Sequence, residues 1–203
     1  MNSAASTALR AAKEALRVEV KKKLLSMSKD EKIRQTKLIT EKLLNYERFK
    51  NSHRISLYLS TEHEVQTHGI LEQILNMGKE CFVPKYDPNS QHMYMVKLHS
   101  TDDLPKLSLM NWSNGQKVED SIRDDALVAG GLDLMVIPGL AFDKRGGRIG
   151  TGQGYYDVYI DQCLHDPHGR PYLIGLAFQE QILHSIPMDE HDFVADDILY
   201  PDK

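Results

Sequence analysis

A glycine-rich segment between Asp143 and Asp157 carries the residues whose types and spacing point most clearly to chemistry. It reads Asp-Lys-Arg-Gly-Gly-Arg-Ile-Gly-Thr-Gly-Gln-Gly-Tyr-Tyr-Asp, and five of the thirteen glycines of the chain fall within nine of its residues. Glycine lacks a Cβ atom, so such a run lets backbone N–H groups approach a ligand closely. Arg148 and a helix predicted to begin at Tyr155 add positive potential. The segment therefore predicts an anion site suited to phosphate, with Asp157 placed to hold an accompanying metal ion.

The spacing of these glycines matches neither of the two best-known phosphate loops. Gly-x-x-x-x-Gly-Lys-Ser/Thr is absent, and Gly150-x-Gly152-x-Gly154 differs from the Gly-x-Gly-x-x-Gly of dinucleotide sites. A flexible loop in front of a helix is the alternative interpretation. The apolar strand predicted before the run and the helix predicted after it favour the anion site.

Acidic and basic side chains elsewhere offer further ligands for such a site. Asp189 and Asp192 lie close together near the end of the chain, and Glu64 follows a predicted strand. Hard cations such as Mg²⁺ prefer carboxylate and phosphate oxygens, so these acids are candidate metal or substrate ligands. The alternative interpretations are a solvated acidic loop for the two aspartates and an ordinary surface residue for Glu64. Lys13 and Arg17 share a helix face at four-residue spacing, which gives them a role only if that helix packs beside the glycines.

The composition limits the classes of function. The chain has 203 residues, 41% of them hydrophobic and 27% charged, with a formal net charge of −4. This excess of acid argues against sequence-independent binding of nucleic acid, and no apolar run approaches the roughly 18 residues of a membrane span. Cys81 and Cys163 have apolar neighbours and are too few for a disulfide framework, which indicates buried thiols. We therefore expect a cytoplasmic protein with no nucleic-acid or membrane partner.

Hydrophobic periodicity predicts the elements that position these residues. Four helices are predicted. The first covers residues 7–26, and the second follows a capping box that begins at Ser28. The third runs from Thr67 to a stop at Gly78, and the fourth covers residues 155–164. Strands are predicted over residues 55–59, 81–83 with a break at Pro84, 93–98, 132–137, 172–178 and 196–200. This alternation predicts a three-layer α/β/α sandwich with a mostly parallel, Rossmann-like sheet. We expect a single domain over residues 1–203, with a helical segment, 1–46, packed on the α/β core.

Six sequence blocks, in order along nearly the whole chain, carry a family resemblance. The blocks are Lys13-Glu-Ala-Leu-Arg17, Arg54-Ile-Ser-Leu-Tyr-Leu-Ser60 with Glu64 after it, Phe82-Val-Pro-Lys-Tyr86, Gly131-Leu-Asp-Leu134, Pro138-Gly-Leu-Ala-Phe-Asp143 and Arg148-Ile-Gly-Thr-Gly-Gln-Gly-Tyr-Tyr-Asp157. With these blocks the sequence resembles the 5-formyltetrahydrofolate cyclo-ligases, also called methenyltetrahydrofolate synthetases, and specifically their animal form. The last block is the most specific of the six.

The resemblance implies a reaction that consumes ATP and depends on Mg²⁺. In it 5-formyltetrahydrofolate becomes 5,10-methenyltetrahydrofolate, and ADP and phosphate are released. Transfer of the γ-phosphoryl group to the formyl oxygen turns a poor leaving group into phosphate, and N10 then attacks within the same molecule. Positioning and charge neutralisation dominate such chemistry. The partners implied are small molecules, and we expect a monomer.

The resemblance also implies roles for individual residues. ATP is expected to contact Lys13, Arg17, Arg148, Gly150, Thr151, Gly152, Gln153, Gly154, Tyr155 and Tyr156. The folate is expected to contact Leu59, Glu64, Met93, Trp112, Thr151 and Tyr155, with Glu64 hydrogen-bonded to the pterin. Arg148 and Tyr155 are the residues predicted to act in catalysis, and Asp157 and Asp192 are the predicted magnesium ligands.

One position pair departs from the animal pattern. Animal members commonly read Gly-Arg-Gly-Lys-Gly where this chain has Thr151 and Gln153, so two positive charges beside the phosphates are missing. Bacterial members often have uncharged residues there. The departure predicts weaker interaction with ATP than in an animal enzyme that has both charges.

Two other functions are compatible with parts of the sequence. A nonenzymatic protein of the same fold would bind folate or a nucleotide without turnover. The retained Arg148, Asp157 and Asp192 favour the enzyme, because a pure folate binder needs no metal-binding carboxylates. An enzyme that acts on phosphosugars or acyl groups and has a related fold would explain the glycine-rich segment. It would not explain why all six sequence blocks of the cyclo-ligase family are present in order.

Overall fold

The computed structural model describes residues 3–87, 90, 92–104, 125–190 and 192–203. Nine strands are present in this part of the chain, and they form two sheets. The strands are β1 (Arg54–Leu57), β2 (Glu80–Tyr86), β3 (Met93–Leu98), β4 (Leu134–Ile137), β5 (Ala141–Asp143), β6 (Arg148–Ile149), β7 (Tyr172–Leu176), β8 (Ile182–Leu183) and β9 (Asp197–Leu199). The helices are α1 (Ser3–Ser26), α2 (Lys29–Asn45), α3 (Glu47–Asn51), α4 (His68–Asn76) and α5 (Tyr155–His165), with 3₁₀ turns at Thr101–Asp103 and Gln179–Gln181.

The larger sheet has six strands in the order β3-β2-β1-β4-β7-β9. All of its neighbouring pairs are parallel except β2 and β3, which are antiparallel. Every residue of β4 is buried, as expected of a central strand with both faces covered. The mostly parallel sheet with flanking helices confirms the α/β fold class predicted from the sequence.

The helix ends follow the predicted signals closely. Ser28 caps α2 by accepting a hydrogen bond from the backbone N–H of Glu31 at 3.2 Å. Thr67 precedes α4, and Gly78 follows it with φ +69°, a conformation in which side chains with a Cβ are strained. The helix after the glycine-rich segment begins at Tyr155, as predicted.

Three features differ from the sequence-based prediction. β2 continues through Pro84 to Tyr86, because β1 pairs with it only as far as Phe82 and the proline therefore interrupts no hydrogen bond of the parallel ladder. The five-residue helix α3 was not predicted, since it is too short to show a period. The smaller sheet, in the order β6-β5-β8, was also not predicted, because strands of two and three residues carry no alternation.

One hydrophobic core extends from α1 to the last strand. Val20 and Leu24 of α1 are buried in the same cluster as the sheet residues Ile55, Val136 and Leu199. This continuity supports the proposal of one domain in which the N-terminal helical segment packs on the α/β core. None of the helices in the described part of the chain combines the length and the apolar character needed to cross a membrane.

Candidate active site

A cavity of about 400 Å³ lies where α1, the glycine-rich segment and the end of β1 meet. Ligands bind at the carboxyl ends of the strands in open parallel sheets, and Tyr58 and Leu59 directly follow β1 at that end. The lining residues are Lys13, Arg17, Tyr58, Leu59, Thr61, Glu64, Tyr86, Pro138, Gly139, Leu140, Arg148, Ile149, Gly150, Thr151, Gly152, Gln153, Gly154, Tyr155, Tyr156, Asp157 and Asp192.

The glycine-rich segment forms a hairpin, a loop and a helix start in succession. β5 and β6 pair antiparallel, and the loop from Gly150 then leads into α5. Gly154 is the N-cap of α5, with φ +78° and no side chain to cap the helix. The first N–H groups of α5 are therefore left without a side-chain acceptor at a helix end that carries partial positive charge. This geometry suits a bound anion.

Arg148 is the buried cation of the site. Its Nε donates to the carbonyl of Pro138 at 2.7 Å, its Nη1 lies 3.7 Å from Oδ1 of Asp157, and its guanidinium lies 4.9 Å from the centre of the Phe193 ring. Burial lowers the pKa of Arg148 from its ordinary value, and Asp157 opposes that shift. A Cβ at Gly150 would lie 2.9 Å from Nη2 of Arg148, so only glycine leaves the guanidinium in this place. The charge is thus fixed at the cavity wall.

α1 packs against the glycines and brings two cations to the same wall. Nε of Arg17 donates to the carbonyl of Gly150 at 3.0 Å, across 133 residues of sequence. Nζ of Lys13 forms ion pairs with Asp192 and, at 3.0 Å, with Asp189. Although burial lowers the pKa of Lys13, its hydrogen bonds to Asp192 and Asp189 raise that pKa overall. Lys13 and Arg17 were expected to gain a role only if their helix packs beside the glycines. The structure shows that it does.

Two carboxylates, those of Asp157 and Asp192, line the cavity. Burial raises the pKa of Asp157, with Arg148 opposing the shift and Asp192 adding to it. Two like charges in one cavity favour a bound cation, and carboxylate oxygens suit Mg²⁺. Within the described residues no group of three or more His, Cys, Asp and Glu side chains is arranged to hold a metal ion.

The segment after β1 forms another part of the cavity lining. Oε2 of Glu64 accepts hydrogen bonds from the backbone N–H of Thr61 at 2.8 Å and from its hydroxyl at 2.9 Å. Oγ1 of Thr67 donates to the carbonyl of Tyr58 at 2.7 Å, and the Tyr58 hydroxyl donates to the carbonyl of Val65 at 2.9 Å. These bonds fix the turn that carries Glu64 into the cavity.

Tyrosine rings pack against each other in the lining of the cavity. The rings of Tyr86 and Tyr155 lie 4.8 Å apart between centres and are tilted by 59°. Burial raises the pKa of Tyr86 and raises that of Tyr156 well above its ordinary value, so both hydroxyls are neutral at physiological pH. They can therefore donate hydrogen bonds to a ligand.

The structure brings most of the predicted site residues into this one cavity. All predicted ATP and metal contacts line it, as do Leu59, Glu64, Thr151 and Tyr155 of the predicted folate contacts. Met93 does not line it: its side chain is 2% exposed in β3, opposite Tyr86 in the strand register, where it packs in the core. Trp112 lies outside the described residues.

Several lining residues were not predicted. Tyr58 and Tyr86 lie at or just beyond the carboxyl ends of neighbouring strands, a position that the sheet rule could have marked as ligand-facing. Pro138, Gly139 and Leu140 follow β4 in the same way, and they lie inside a block already quoted for the family resemblance.

Comparison with known proteins identifies the family of this chain. The sequence profile described as the 5-formyltetrahydrofolate cyclo-ligase family matches residues 9–201. The chain belongs to the 5-formyltetrahydrofolate cyclo-ligase family. It is 43% identical over 199 residues to the 5-formyltetrahydrofolate cyclo-ligase of Mus musculus, covering 98% of each chain. It is 36% identical over 195 residues to a probable 5-formyltetrahydrofolate cyclo-ligase of Caenorhabditis elegans, covering 96% of this chain and 95% of that one.

Solved structures of cyclo-ligase relatives share the fold. The 5,10-methenyltetrahydrofolate synthetase of Aquifex aeolicus superposes with a TM-score of 0.70 at 25% identity, over 94% of this chain and 90% of the other. The synthetase of Mycoplasma pneumoniae superposes with a TM-score of 0.66 at 22% identity, over 92% and 97%. The resemblance noted in the sequence is therefore confirmed, and with it the assignment to an enzyme of the cyclo-ligase type.

Proposed function

We propose that this chain converts 5-formyltetrahydrofolate into 5,10-methenyltetrahydrofolate at the expense of ATP. The observation that carries the proposal is the single cavity that holds a phosphate-binding wall and a folate-binding wall. Its lining includes cations, the backbone at the start of α5 and two carboxylates, and it also includes Glu64. A reaction between ATP and a small amide-like substrate requires the two molecules to be bound within reach of each other.

The phosphate-binding wall is assigned to the triphosphate of ATP. Lys13 and Arg17 reach it from α1, Arg148 reaches it from β6, and the start of α5 presents its N–H groups. Phosphate oxygens are stabilised by such cations and by a helix N-terminus. Tyr155 and Tyr156 also line this cavity.

The chemistry needs few covalent steps from side chains. The γ-phosphorus of ATP forms a bond to the formyl oxygen as its bond to the β–γ bridging oxygen breaks, and ADP leaves. The lone pair of N10 then attacks the formyl carbon, the bond between that carbon and the phosphorylated oxygen breaks, and inorganic phosphate departs. N10 loses its proton to give the methenyl product. Arg148 is placed to neutralise charge on the transferred group throughout.

Mg²⁺ is assigned to Asp157 and Asp192. Both side chains line the phosphate-binding wall, and both offer the oxygen ligands that this cation prefers beside phosphate oxygens. When bound, the ion would supply charge neutralisation to the triphosphate. Lys13, which pairs with Asp192, keeps a positive charge beside the same carboxylate.

Glu64 is assigned to the pterin. Its carboxylate is held by two hydrogen bonds from Thr61, which fixes its direction, and a carboxylate can accept hydrogen bonds from the N–H groups of a pterin ring. The expectation of a cytoplasmic monomer is a separate proposal, which cell fractionation and sedimentation would test.

The test is near-ultraviolet absorbance of the protein mixed with 5-formyltetrahydrofolate, ATP and Mg²⁺. The methenyl product contains a conjugated amidinium that the substrate lacks, so its formation is directly visible. We expect absorbance to grow only when ATP and Mg²⁺ are both present. A flat trace from folded protein that still binds the folate would overturn the proposal in favour of nonenzymatic binding.

A further inference from the structure

Three successive carbonyl groups after β4 accept hydrogen bonds from side chains, two of them from the same side chain. The carbonyl of Pro138 accepts from Nε of Arg148 at 2.7 Å. The carbonyls of Gly139 and Leu140 accept from Nε2 of Gln181, at 2.7 Å and 3.2 Å. Gly139 and Leu140 line the cavity of the candidate active site, the first cavity, and also an adjoining second cavity of about 360 Å³. Gln181 therefore reaches the active site through the backbone of this segment.

The topology of the sheets places Gln181 beside this segment. β4 and β7 are parallel neighbours, so the segments that follow them leave the sheet at the same edge. Gln181 ends the 3₁₀ turn after β7 and directly precedes β8, which pairs with β5. Its side chain is buried, with 1% of the residue exposed. A buried amide without partners would cost free energy, so its hydrogen bonds fix where it lies.

The amide of Gln181 is fully engaged with backbone groups. Its two N–H donors are taken by the carbonyls of Gly139 and Leu140, and its Oε1 accepts from the N–H of Phe178 at 2.8 Å. Although Gln181 lines the second cavity, the amide keeps no N–H for a ligand there. The side chain is therefore suited to hold the backbone rather than to bind a substrate.

The turn that carries Gln181 is itself anchored to α2 by a second buried amide. Gln35 is 1% exposed, and its Oε1 accepts from the N–H of Gln179 at 2.8 Å. Its Nε2 donates to the Glu180 carboxylate at 3.0 Å. Two buried glutamines in series thus connect α2 with the segment after β4.

Gly139 is the residue at which this segment has the most conformational freedom. A Cβ at this position would lie 2.4 Å from Cζ of Phe142, so the close approach of the ring requires glycine. Glycine permits more backbone conformations than other residues, whereas the ring of Pro138 fixes its own φ. The bonds from Gln181 restrict this freedom at the carbonyls directly after the one that accepts from Arg148.

We propose that Gln181 is a positioning residue for Arg148. The proposal rests on the proposed function, in which Arg148 neutralises charge on the transferred phosphoryl group. Pairing of β5 with β6 holds the backbone of Arg148, whereas the direction of its side chain depends on the Pro138 carbonyl. Gln181 holds that carbonyl in place through the next two peptide units. A displacement of about 1 Å can lower a rate by about 100-fold, so a side chain that does not touch ATP can control kcat.

The first test compares Gln181→Met with Tyr46→Phe. Methionine has a similar length and removes all three hydrogen bonds of the amide. Tyr46→Phe is the matched control: it removes a hydrogen bond to Asp197 at the start of β9, at the edge of the sheet away from the cavities. Both variants should lower the urea midpoint. Only Gln181→Met should lower kcat, by about tenfold, and it should change the KM for the folate by less than about twofold.

The second test follows Arg148 itself by NMR. The Arg148 side chain is 7% exposed and its Nε–H donates to a carbonyl, so this proton should exchange slowly with solvent. Its resonance is identified by its absence from the Arg148→Lys variant. Gln181→Met should shift the resonance and accelerate its exchange, whereas Tyr46→Phe should leave both unchanged.

The third test measures coupling between the two side chains. Lysine has no Nε–H for the Pro138 carbonyl, so Gln181 has nothing to position in an Arg148→Lys protein. In that background Gln181→Met should lower kcat by less than about twofold, in contrast to about tenfold in the unmodified protein.

Three results would overturn the proposal. One is an Arg148 resonance that is the same in Gln181→Met as in the unmodified protein, and another is a pair of kcat losses that multiply in the double variant. The third is a raised KM for the folate with unchanged kcat, which would make Gln181 a substrate contact. If no methenyl product forms, the proposed function fails separately, and the Arg148 resonance still decides the role of Gln181.

Discussion

The two cavities of this protein are built in opposite ways. The first takes much of its wall from one continuous segment, Arg148 to Asp157, in which glycines and charges are close in sequence. The second, of about 360 Å³, is assembled from α1, the turn after β1 and the loop after β4, and its surface is mostly apolar. The charged groups of the first cavity are thus encoded locally in the chain, whereas the second cavity arises from packing between distant segments.

The two cavities also differ in how firmly their residues are held. Arg148 is held by a carbonyl, a carboxylate and an aromatic ring, and a Cβ at Gly150 would lie only 2.9 Å from its Nη2. In the second cavity Leu25 is largely exposed and Lys21 is exposed. Substitutions at the firmly held positions of the first cavity should therefore change kcat, whereas substitutions at its exposed positions Thr151 and Gln153 should change the KM for ATP. The predictions below test that separation.

The largest expected effect is that of Asp157→Asn. Loss of this carboxylate removes a proposed Mg²⁺ ligand and the counter-charge of Arg148, so kcat should fall by about 100-fold or more. Binding of 5-formyltetrahydrofolate, measured by calorimetry, should change less than about twofold. Asp161→Asn, one turn further along α5 and exposed, is the control. An active Asp157→Asn variant would refute the assignment of this side chain.

Asp143→Asn should reduce the stability of the loop that supports the first cavity, because Asp143 accepts backbone hydrogen bonds there and is not itself a proposed ligand or catalytic residue. Oδ1 of Asp143 accepts hydrogen bonds from the N–H groups of Arg145 at 2.9 Å and Gly147 at 3.0 Å, and Oδ2 accepts one from Ile186 at 2.8 Å. An amide presents N–H to one of these donors, so the free energy of unfolding in urea should fall by about 2–3 kcal/mol. Equal urea midpoints for the variant and the unmodified protein would contradict this role.

The same side chain predicts a pH dependence of stability. Burial alone raises the pKa of Asp143, but its hydrogen bonds from Ile186, Arg145 and Gly147 lower the pKa overall. The unfolded chain therefore binds the proton more readily. The contribution of Asp143 is complete above its unfolded pKa of about 4 and is lost as the pH falls through the lower folded value. The stability difference between the unmodified protein and Asp143→Asn should shrink as the pH falls below about 4; a constant difference would contradict the assignment.

Gly150→Ala should reduce activity without reducing stability. The added Cβ would lie 2.9 Å from Nη2 of Arg148 and would displace the guanidinium, so kcat should fall about tenfold. Gly69→Ala is the control: its Cβ meets no atom within 4 Å in α4, and it should raise stability by about 0.5–1 kcal/mol with unchanged kcat. If Gly150→Ala is as active as Gly69→Ala, Arg148 is not held as described.

The smallest effect is expected from Thr151→Arg combined with Gln153→Lys. Both positions are exposed on the phosphate-binding wall, so the added charges should lower the KM for ATP about two- to fivefold. The gain should diminish at high salt, because exposed charges are screened. Thr151→Gln with unchanged Gln153 supplies the uncharged control. An unchanged or higher KM for ATP would show that the missing charges do not weaken ATP binding.

The sequence predicted the features whose determinants are local. The start of α5 at Tyr155, the cap at Ser28 and the buried strand β4 each follow from a few adjacent residues. The contact between Arg17 and the carbonyl of Gly150 could not be predicted from periodicity, because 133 residues separate the two. The four-residue spacing predicted that Lys13 and Arg17 share one face of the helix. That this face packs against the glycine-rich segment became visible only in the structure.

The limits of the sequence are clearest at the second cavity. Leu24 fits the apolar period of the first helix, a pattern that predicts core packing and gives no sign of a cavity. The cavity that it lines is formed by α1, the turn after β1 and the loop after β4, which lie far apart in sequence. Met93 shows the converse: family resemblance suggested a folate contact, whereas the register of β2 and β3 places its side chain in the core.

The most direct test of the account follows the formyl oxygen. 5-Formyltetrahydrofolate carrying a heavy-oxygen label in the formyl group is incubated with the protein, ATP and Mg²⁺, and the released inorganic phosphate is analysed by mass spectrometry. Phosphoryl transfer to that oxygen predicts one labelled oxygen in each phosphate formed with the methenyl product. Product accompanied by unlabelled phosphate, with the label in water, would contradict the proposed reaction.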